Sequence, residues 1–443
     1  MFKTYSKYIK ELFSLAFPMI VGNLGIVLIG AGDVFVAARH STDTLAAISI
    51  GNSIIGCVFL FGMGLLASIS PLLSNFRGEK SNIKKYFLPT IYYSIFWGAL
   101  SCLSVLIFIP LIDHLGFEGH LIPDIKEYMF ISSFSIFGAY LQMALKEFLQ
   151  AFEIVIFPNL INIFGVFLNL FLCFVLVFGL LGFPQLGVVG LAFATLISRT
   201  VLGLIMLGYC LTLTKIKVYH DRQYFVNLVK IGFPIAMAIL IEVFAFNVIT
   251  IFVGRISGVF AAAQNILLTV TTATFMIPMA ISNALAVKIG FANGAGNFMD
   301  LKRYAYSGLA VSIGFMAFCA LCFLIFPSFF IHIFTKDAAL LKICVPALVL
   351  AGVFQIFDGM QVSLGGIFKG LKKTKIIMLG DFLAYIMLGL PLGIVLAFKF
   401  KMELFGFWVG LTIAIFALAI IFLLLLRREF KKSCYRSNSK TLL

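Results

Sequence analysis

Residues 12–37 read LFSLAFPMIVGNLGIVLIGAGDVFVA, and Asp33 is the one charge in the run. About 20 apolar residues in a helix, at 1.5 Å rise each, cross the roughly 30 Å hydrocarbon core of a bilayer. This run is long enough, so it reads as a membrane-spanning helix. Asp33 is then the anomaly, because a carboxylate at mid-bilayer costs about 2.5–3.5 kcal/mol on insertion scales. Something must offset that cost or make use of it.

The rest of the chain has the same character. Its 443 residues are 62% hydrophobic and 12% charged, with a mean hydropathy of +1.11. A soluble domain carries about a quarter charged residues, and no soluble core could hide this much apolar surface. The expected fold class is therefore an all-α integral membrane protein. Twelve transmembrane helices are expected, at 12–37, 44–74, 86–111, 127–147, 155–180, 187–212, 224–252, 257–287, 304–334, 338–368, 376–398 and 403–426.

The net charge of +15 does not point to nucleic acid once its placement is considered. With both termini in the cytosol, 25 of the 33 Lys and Arg fall in inner segments and 7 in outer ones. The remaining one, Arg199, lies deep within a helix. That asymmetry follows the positive-inside rule. The basic residues become a topological signal with some affinity for anionic headgroups of the lipid bilayer. The start MFKTYSKYIK resembles a signal-peptide n-region, but the apolar stretch after it is too long and lacks an A-x-A-like site. It is kept as the first helix, and the basic end from residue 428 as a cytoplasmic tail. The eight cysteines are scattered. Cys319 and Cys322 form a C-x-x-C inside the apolar MAFCALCFLIF, with no metal or redox partner beside it.

The chain also repeats itself. LAFP at 15–18 returns as IGFP at 231–234, and LAAISIG from Leu45 is echoed by FAAAQNI from Phe260. RGEKSNIKKY from Arg77 matches NGAGNFMDLKRY from Asn293, and Ile136, Phe137 and Phe148 match Ile356, Phe357 and Phe368. Four matches in order, at an offset near 216–220, divide the chain into two pseudo-symmetric six-helix lobes. The expected divisions are an N-terminal lobe at 1–213, a cytoplasmic linker at 214–223, a C-terminal lobe at 224–427 and the tail at 428–443. An even helix number gives both lobes the same orientation, an arrangement of secondary transporters in which one half rocks against the other around a midplane substrate.

Of the 18 acidic residues, 14 fall in loops or at helix ends, and four remain inside spans: Asp33, Glu242, Asp358 and Asp381. An intramembrane carboxylate normally faces a bundle interior or wet cavity and is a functional candidate by default. By the repeat Asp33 maps onto Ile249, Glu242 onto Ile26 and Asp358 onto Gly138, so the lobes carry different chemistry on one frame. Asp381 lies about a turn and a half from Lys375, close enough to the interface to be solvated or paired with a loop lysine. Low dielectric favours the neutral carboxyl, which lets a buried acid load a proton and release it when the site wets. Asn169 and Thr195 bring amide and hydroxyl oxygens into apolar spans, suited to a hard cation or to helix packing. Arg199 can pair with a carboxylate or snorkel. No G-x-x-x-x-G-K-[ST], H-E-x-x-H or G-x-S-x-G occurs, so neither ATP-driven transport nor an enzyme is expected. An ion gradient remains as the energy source.

At these residues the chain resembles the multidrug and toxic compound extrusion (MATE) family, in its NorM-like branch. The resemblance rests on LAFPMIVGNLGIVLIGAGDVFVAARHSTDTLAAISIGNSI, GMGLLASISPLLSNFRGE, KIGFPIAMAILIEVFAFNV, FQIFDGMQVSLGGIFKGLKKTK and LGLPLGIVLAF, and spans nearly the whole chain. It implies rocker-switch export of lipophilic organic cations and drugs in exchange for H+ or Na+, with no other cofactor. It also implies a monomer in a plasma membrane, here a bacterial inner membrane. Asp33 is then the coupling acid of the first lobe, and Glu242 and Asp358 the cation site of the second. Any Na+ would sit at Asp33/Asn169 or Glu242/Asp358. Cys173 stands where the family commonly has a second polar residue, and Phe354 where it often has tyrosine. Both departures remove an oxygen ligand and favour H+. The rival expectation is a lipid-linked precursor flippase of the same superfamily, which needs a basic cavity.

Overall fold

The computed structural model describes residues 2–214, 218, 219 and 221–440. It contains twelve helices long and apolar enough to span a bilayer, as expected. These are α1 (Tyr5–His40), α2 (Thr42–Gly78), α3 (Ile83–His114), α4 (Ile122–Ala151), α5 (Ile156–Phe178) and α6 (Gly187–Leu213), then α7 (Arg222–Ile256), α8 (Gly258–Gly294), α9 (Phe298–Ile325), α10 (Ala338–Gly370), α11 (Thr374–Lys399) and α12 (Glu403–Lys432). No strand occurs among the described residues. In oil a backbone must satisfy its own hydrogen bonds, and a helix does so within one segment. The basic end expected as a tail continues the last helix to Lys440.

The repeat is written most clearly at the corners. Ser41 and Ser257, 216 residues apart, cap the starts of α2 and α8 with extended backbone at φ −164° and −167°. Their side chains accept from the N–H of Thr44 and Val259. Such caps satisfy donors that the first helical turn leaves open. Asn82 and Asn297 play the same part for Lys84 and Asp300. Just before them the chain turns through the left-handed region at Lys80 (φ 60°) and at Gly296 (φ 67°). Leu181 and Lys401, both at φ 55°, form another such pair.

The chain forms two compact units. Unit A gathers Met1–Phe17, Gly78–Lys80 and Met237–Leu443, and unit B gathers Pro18–Arg77 and Ser81–Ala236. The divisions fall inside α1 and α7, beside Pro18 and Pro234. Each proline interrupts the ladder by removing one i→i−4 donor. In unit A, the first turns of α1 are held by Tyr8, which donates to Asp300 Oδ1 at 2.5 Å and accepts from Arg303 at 3.1 Å. Tyr304 donates to Glu11 there too, and Lys288 lies 3.8 Å from the Glu11 carboxylate. In unit B the first turns of α7 are held by Tyr224, which shares a 2.9 Å hydrogen bond with Thr90 and packs its ring 4.5 Å from Tyr86. The linker expected at 214–223 lies partly outside the described residues.

Small residues let helices approach closely within each unit, as membrane packing favours. In unit B, a Cβ on Gly138 of α4 would lie 2.7 Å from the backbone of Arg199 and Thr200 of α6. In unit A, a Cβ on Gly366 of α10 would lie 2.3 Å from the Ser282 carbonyl of α8. One helix departs from α geometry. In α11 the chain widens to π turns over Phe382–Gly389 and again over Val395–Lys399. Pro391 lies between them and cannot donate to the carbonyl four residues back, a common companion of such bulges.

Candidate functional site

Unit B assembles its polar site from α1, α5 and α6. Asp33 is buried, 8% exposed. Asn169 and Cys173, one turn apart, share a face of α5, and Thr195 and Arg199 share a face of α6. The Cys173 thiol lies 3.4 Å from Asp33 Oδ1 and 3.8 Å from Asn169 Oδ1. One S–H can donate to one of these, and the shorter distance assigns it to the carboxylate. Asn169 and Thr195 lie within hydrogen-bonding reach of Asp33, although Asn169 Nδ2 and Thr195 Oγ1 are buried without a close hydrogen bond among the described residues.

Arg199 resolves differently from either reading of its sequence position. Its Nη1 donates to Ser135 Oγ at 3.0 Å, and its guanidinium lies 5.0 Å from the Phe59 ring centre. It therefore stays inside unit B, held by a hydroxyl and an aromatic face, with Asp33 within its electrostatic reach rather than directly bonded. Tyr128 shares that field and donates to Asn52 Oδ1 at 2.8 Å. Neither Tyr128 nor Asn52 stood out in the sequence.

Unit A assembles its acids from α7, α10 and α11. Glu242 is half-buried and Asp358 is buried, with Asp358 Oδ1 lacking a hydrogen-bond partner among the described residues. Asp381 corrects its expectation. It is neither solvated nor set against a loop lysine in a salt bridge: it is 3% exposed and accepts from Gln361 Nε2 at 2.8 Å. The charges of Glu242, Asp358 and Asp381 act on one another and on Tyr385. The Tyr385 hydroxyl, at 1% exposure, has no partner among the described residues. Phe354 packs 5.5 Å from Trp408, whose indole donates to Gln264 Oε1 at 2.9 Å.

The structure therefore brings Asp33 together with Asn169, Thr195 and, through its field, Arg199. Separately, it brings Glu242 together with Asp358 and Asp381. Sequence reading missed Gln361 and Tyr385. No three His, Cys, Asp or Glu side chains among the described residues are placed to hold one metal ion.

Twelve spanning helices, a twofold repeat and buried acids on inward faces describe a secondary transporter. The MatE family model matches residues 18–175 and 234–395, and the chain belongs to that family. It is 29% identical over 441 residues to the probable multidrug resistance protein NorM of Mesorhizobium japonicum, covering 96% of this chain and 94% of that one. It is 30% identical to the protein of the same description from Rhizobium meliloti, covering 94% and 93%. The crystal structure of the eukaryotic MATE transporter AtDTX14 superimposes with a TM-score of 0.82 at 19% identity, over 98% of this chain and 99% of that one. That last likeness shows the fold.

Proposed function

We propose that the protein exports lipophilic organic cations by alternating access, in exchange for H+ or Na+ moving inward across a bacterial inner membrane. The observation that carries this reading is a set of buried carboxyls not tied into direct salt bridges by fixed bases. Asp33 accepts from the Cys173 thiol, and Asp358 Oδ1 has no hydrogen-bond partner among the described residues. Such oxygens can trade a small ion for a positively charged guest. An arriving H+ or Na+ neutralises the acid and weakens its hold on the guest. Departure of the ion restores the charge and draws the next guest in.

The surroundings suit a varied set of guests. Phe246, Phe354, Tyr385 and Trp408 form a connected aromatic group in unit A, and aromatic faces attract cations without demanding one shape. Asn169 and Thr195 support an ion at Asp33, while Cys173, a poor ligand for hard cations, tilts that site toward the proton. A lipid-precursor flippase would need free bases for an anionic headgroup. Arg199, the basic residue in mid-span, is already engaged by Ser135 and Phe59.

Asp33→Asn tests the reading. Cells expressing the variant at wild-type level are expected to lose ethidium efflux. Undiminished efflux would remove Asp33 from the coupling role. In proteoliposomes, imposed pH and sodium gradients applied in turn identify the coupling ion.

A further inference from the structure

Three carboxyls, rather than two, lie within electrostatic reach of one another in unit A. Glu242 and Phe246 are one turn apart on α7, and Asp381 and Tyr385 are one turn apart on α11. Phe354, Asp358 and Gln361 follow one face of α10. The Phe246 ring centre lies 6.4 Å from that of Phe354 and 6.1 Å from that of Tyr385, and Gln361 reaches Asp381. These contacts set the acids in one layer, with the aromatic rings one turn away. Two buried atoms in this region, Asp358 Oδ1 and the Tyr385 hydroxyl, have no partner among the described residues.

Charge counting separates the two units. Ionised, Glu242, Asp358 and Asp381 carry −3, and Lys369 of α10, within electrostatic reach of Glu242 and Asp381, contributes +1. The other polar groups of the layer and its rings, Gln361, Tyr385, Gln355, Gln264 and Trp408, are neutral. The cluster is left with a balance of −2. In unit B, Asp33 (−1) lies in the field of Arg199 (+1). A divalent metal does not suit the excess. It wants six or more converging oxygens, and no three acidic side chains converge on one point.

We propose that Asp381 is a third coupling acid of unit A and that this cluster takes up two monovalent cations, protons or sodium, in each cycle. This rests on the ion-exchange reading above. With the ion exchanged at Asp33, three cations entering for one singly charged guest leaving move two net charges per turn. With Asp381 removed, two cations enter and one net charge moves.

The test is charge per guest. Full-length protein in proteoliposomes on a solid-supported membrane is given an ethidium jump, once with a pH gradient in sodium-free buffer and once with a sodium gradient at equal pH. Current and ethidium fluorescence are recorded together. The wild type is expected to move about two net charges per ethidium under the gradient that drives it. Asp381→Asn should move ethidium more slowly with about a twofold loss of charge per ethidium, and Asp381→Glu should restore it. Unchanged charge per ethidium in Asp381→Asn, or one net charge or fewer in the wild type, overturns the proposal. A wild type that moves no ethidium under either gradient overturns the exchange reading and the proposal with it. Should Asp381→Asn not fold, cations released by purified wild type on ethidium binding are counted with a pH dye and with labelled sodium. Three per chain supports the proposal, and two or fewer overturns it.

Discussion

Gly138→Ala is a sharp test of how unit B holds Arg199. The new Cβ would sit 2.7 Å from the Arg199 carbonyl carbon and oxygen and from the Thr200 nitrogen. Ordinary contact begins near 3.4 Å, so α4 and α6 must part by about 0.7 Å. The atoms in the way are backbone, so no side chain can swing aside. Overpacking of this kind costs about 1–3 kcal/mol, and the upper half of that range applies here. Alanine returns about 0.5–1 kcal/mol through its better helix propensity. The clash wins by about 1–2 kcal/mol. The readout is the melting temperature of purified protein in detergent, followed by size-exclusion chromatography after heating. Gly208→Ala, on the same α6 helix with nothing within 4 Å of the added carbon, is the control and should melt at or slightly above wild type. Gly138→Ala should melt several degrees lower, and its ethidium efflux should fall because Arg199 moves with α6. Equal melting of the two variants, or a more stable Gly138→Ala, would refute the close-approach reasoning.

Other outcomes follow from single positions. Lys80→Gly should stabilise the protein by about 1 kcal/mol, because Lys80 occupies the left-handed conformation that the other half gives to Gly296; a lower melting temperature would mean that the Lys80 side chain outweighs its backbone strain. Cys173→Ser places a hydroxyl beside Asp33 and should raise sodium-driven ethidium exchange several-fold relative to proton-driven exchange. A constant ratio in proteoliposomes would show that this turn of α5 does not set ion preference. Arg77→Ala should cost about 1 kcal/mol, since its 2.5 Å ion pair with Glu153 is 22% and 30% exposed on the two sides; chemical denaturation showing no change would assign the pair to the crowd of inert surface bridges.

Hydropathy made the spans legible, because oil tolerates few charges and the loops collect the rest. The same rule made Asp33, Glu242 and Asp358 legible. It failed at Asp381, since nearness to Lys375 in sequence suggested water, whereas Gln361 and the widened turn before Pro391 enclose it. Tyr385 and Gln361 could not be found this way: neutral polar groups break no rule in a chain with 14 tyrosines, and their value depends on which helix they meet. Arg199 was visible, but a long side chain reaches many partners and only packing selected Ser135 and Phe59. The unit borders were hidden because tyrosine contacts such as Tyr8 to Asp300 and Tyr224 to Thr90 join residues 292 and 134 positions apart.

Ser41 and Ser257, with Asn82 and Asn297, fasten equivalent bends in halves whose interiors no longer match. After a gene doubles, selection can let the walls of each copy drift so long as these fasteners stay put. One copy was thereby free to acquire a single acid and the other several, without either losing its route back and forth through the bilayer. An exchanger with unequal halves is what such a history leaves behind.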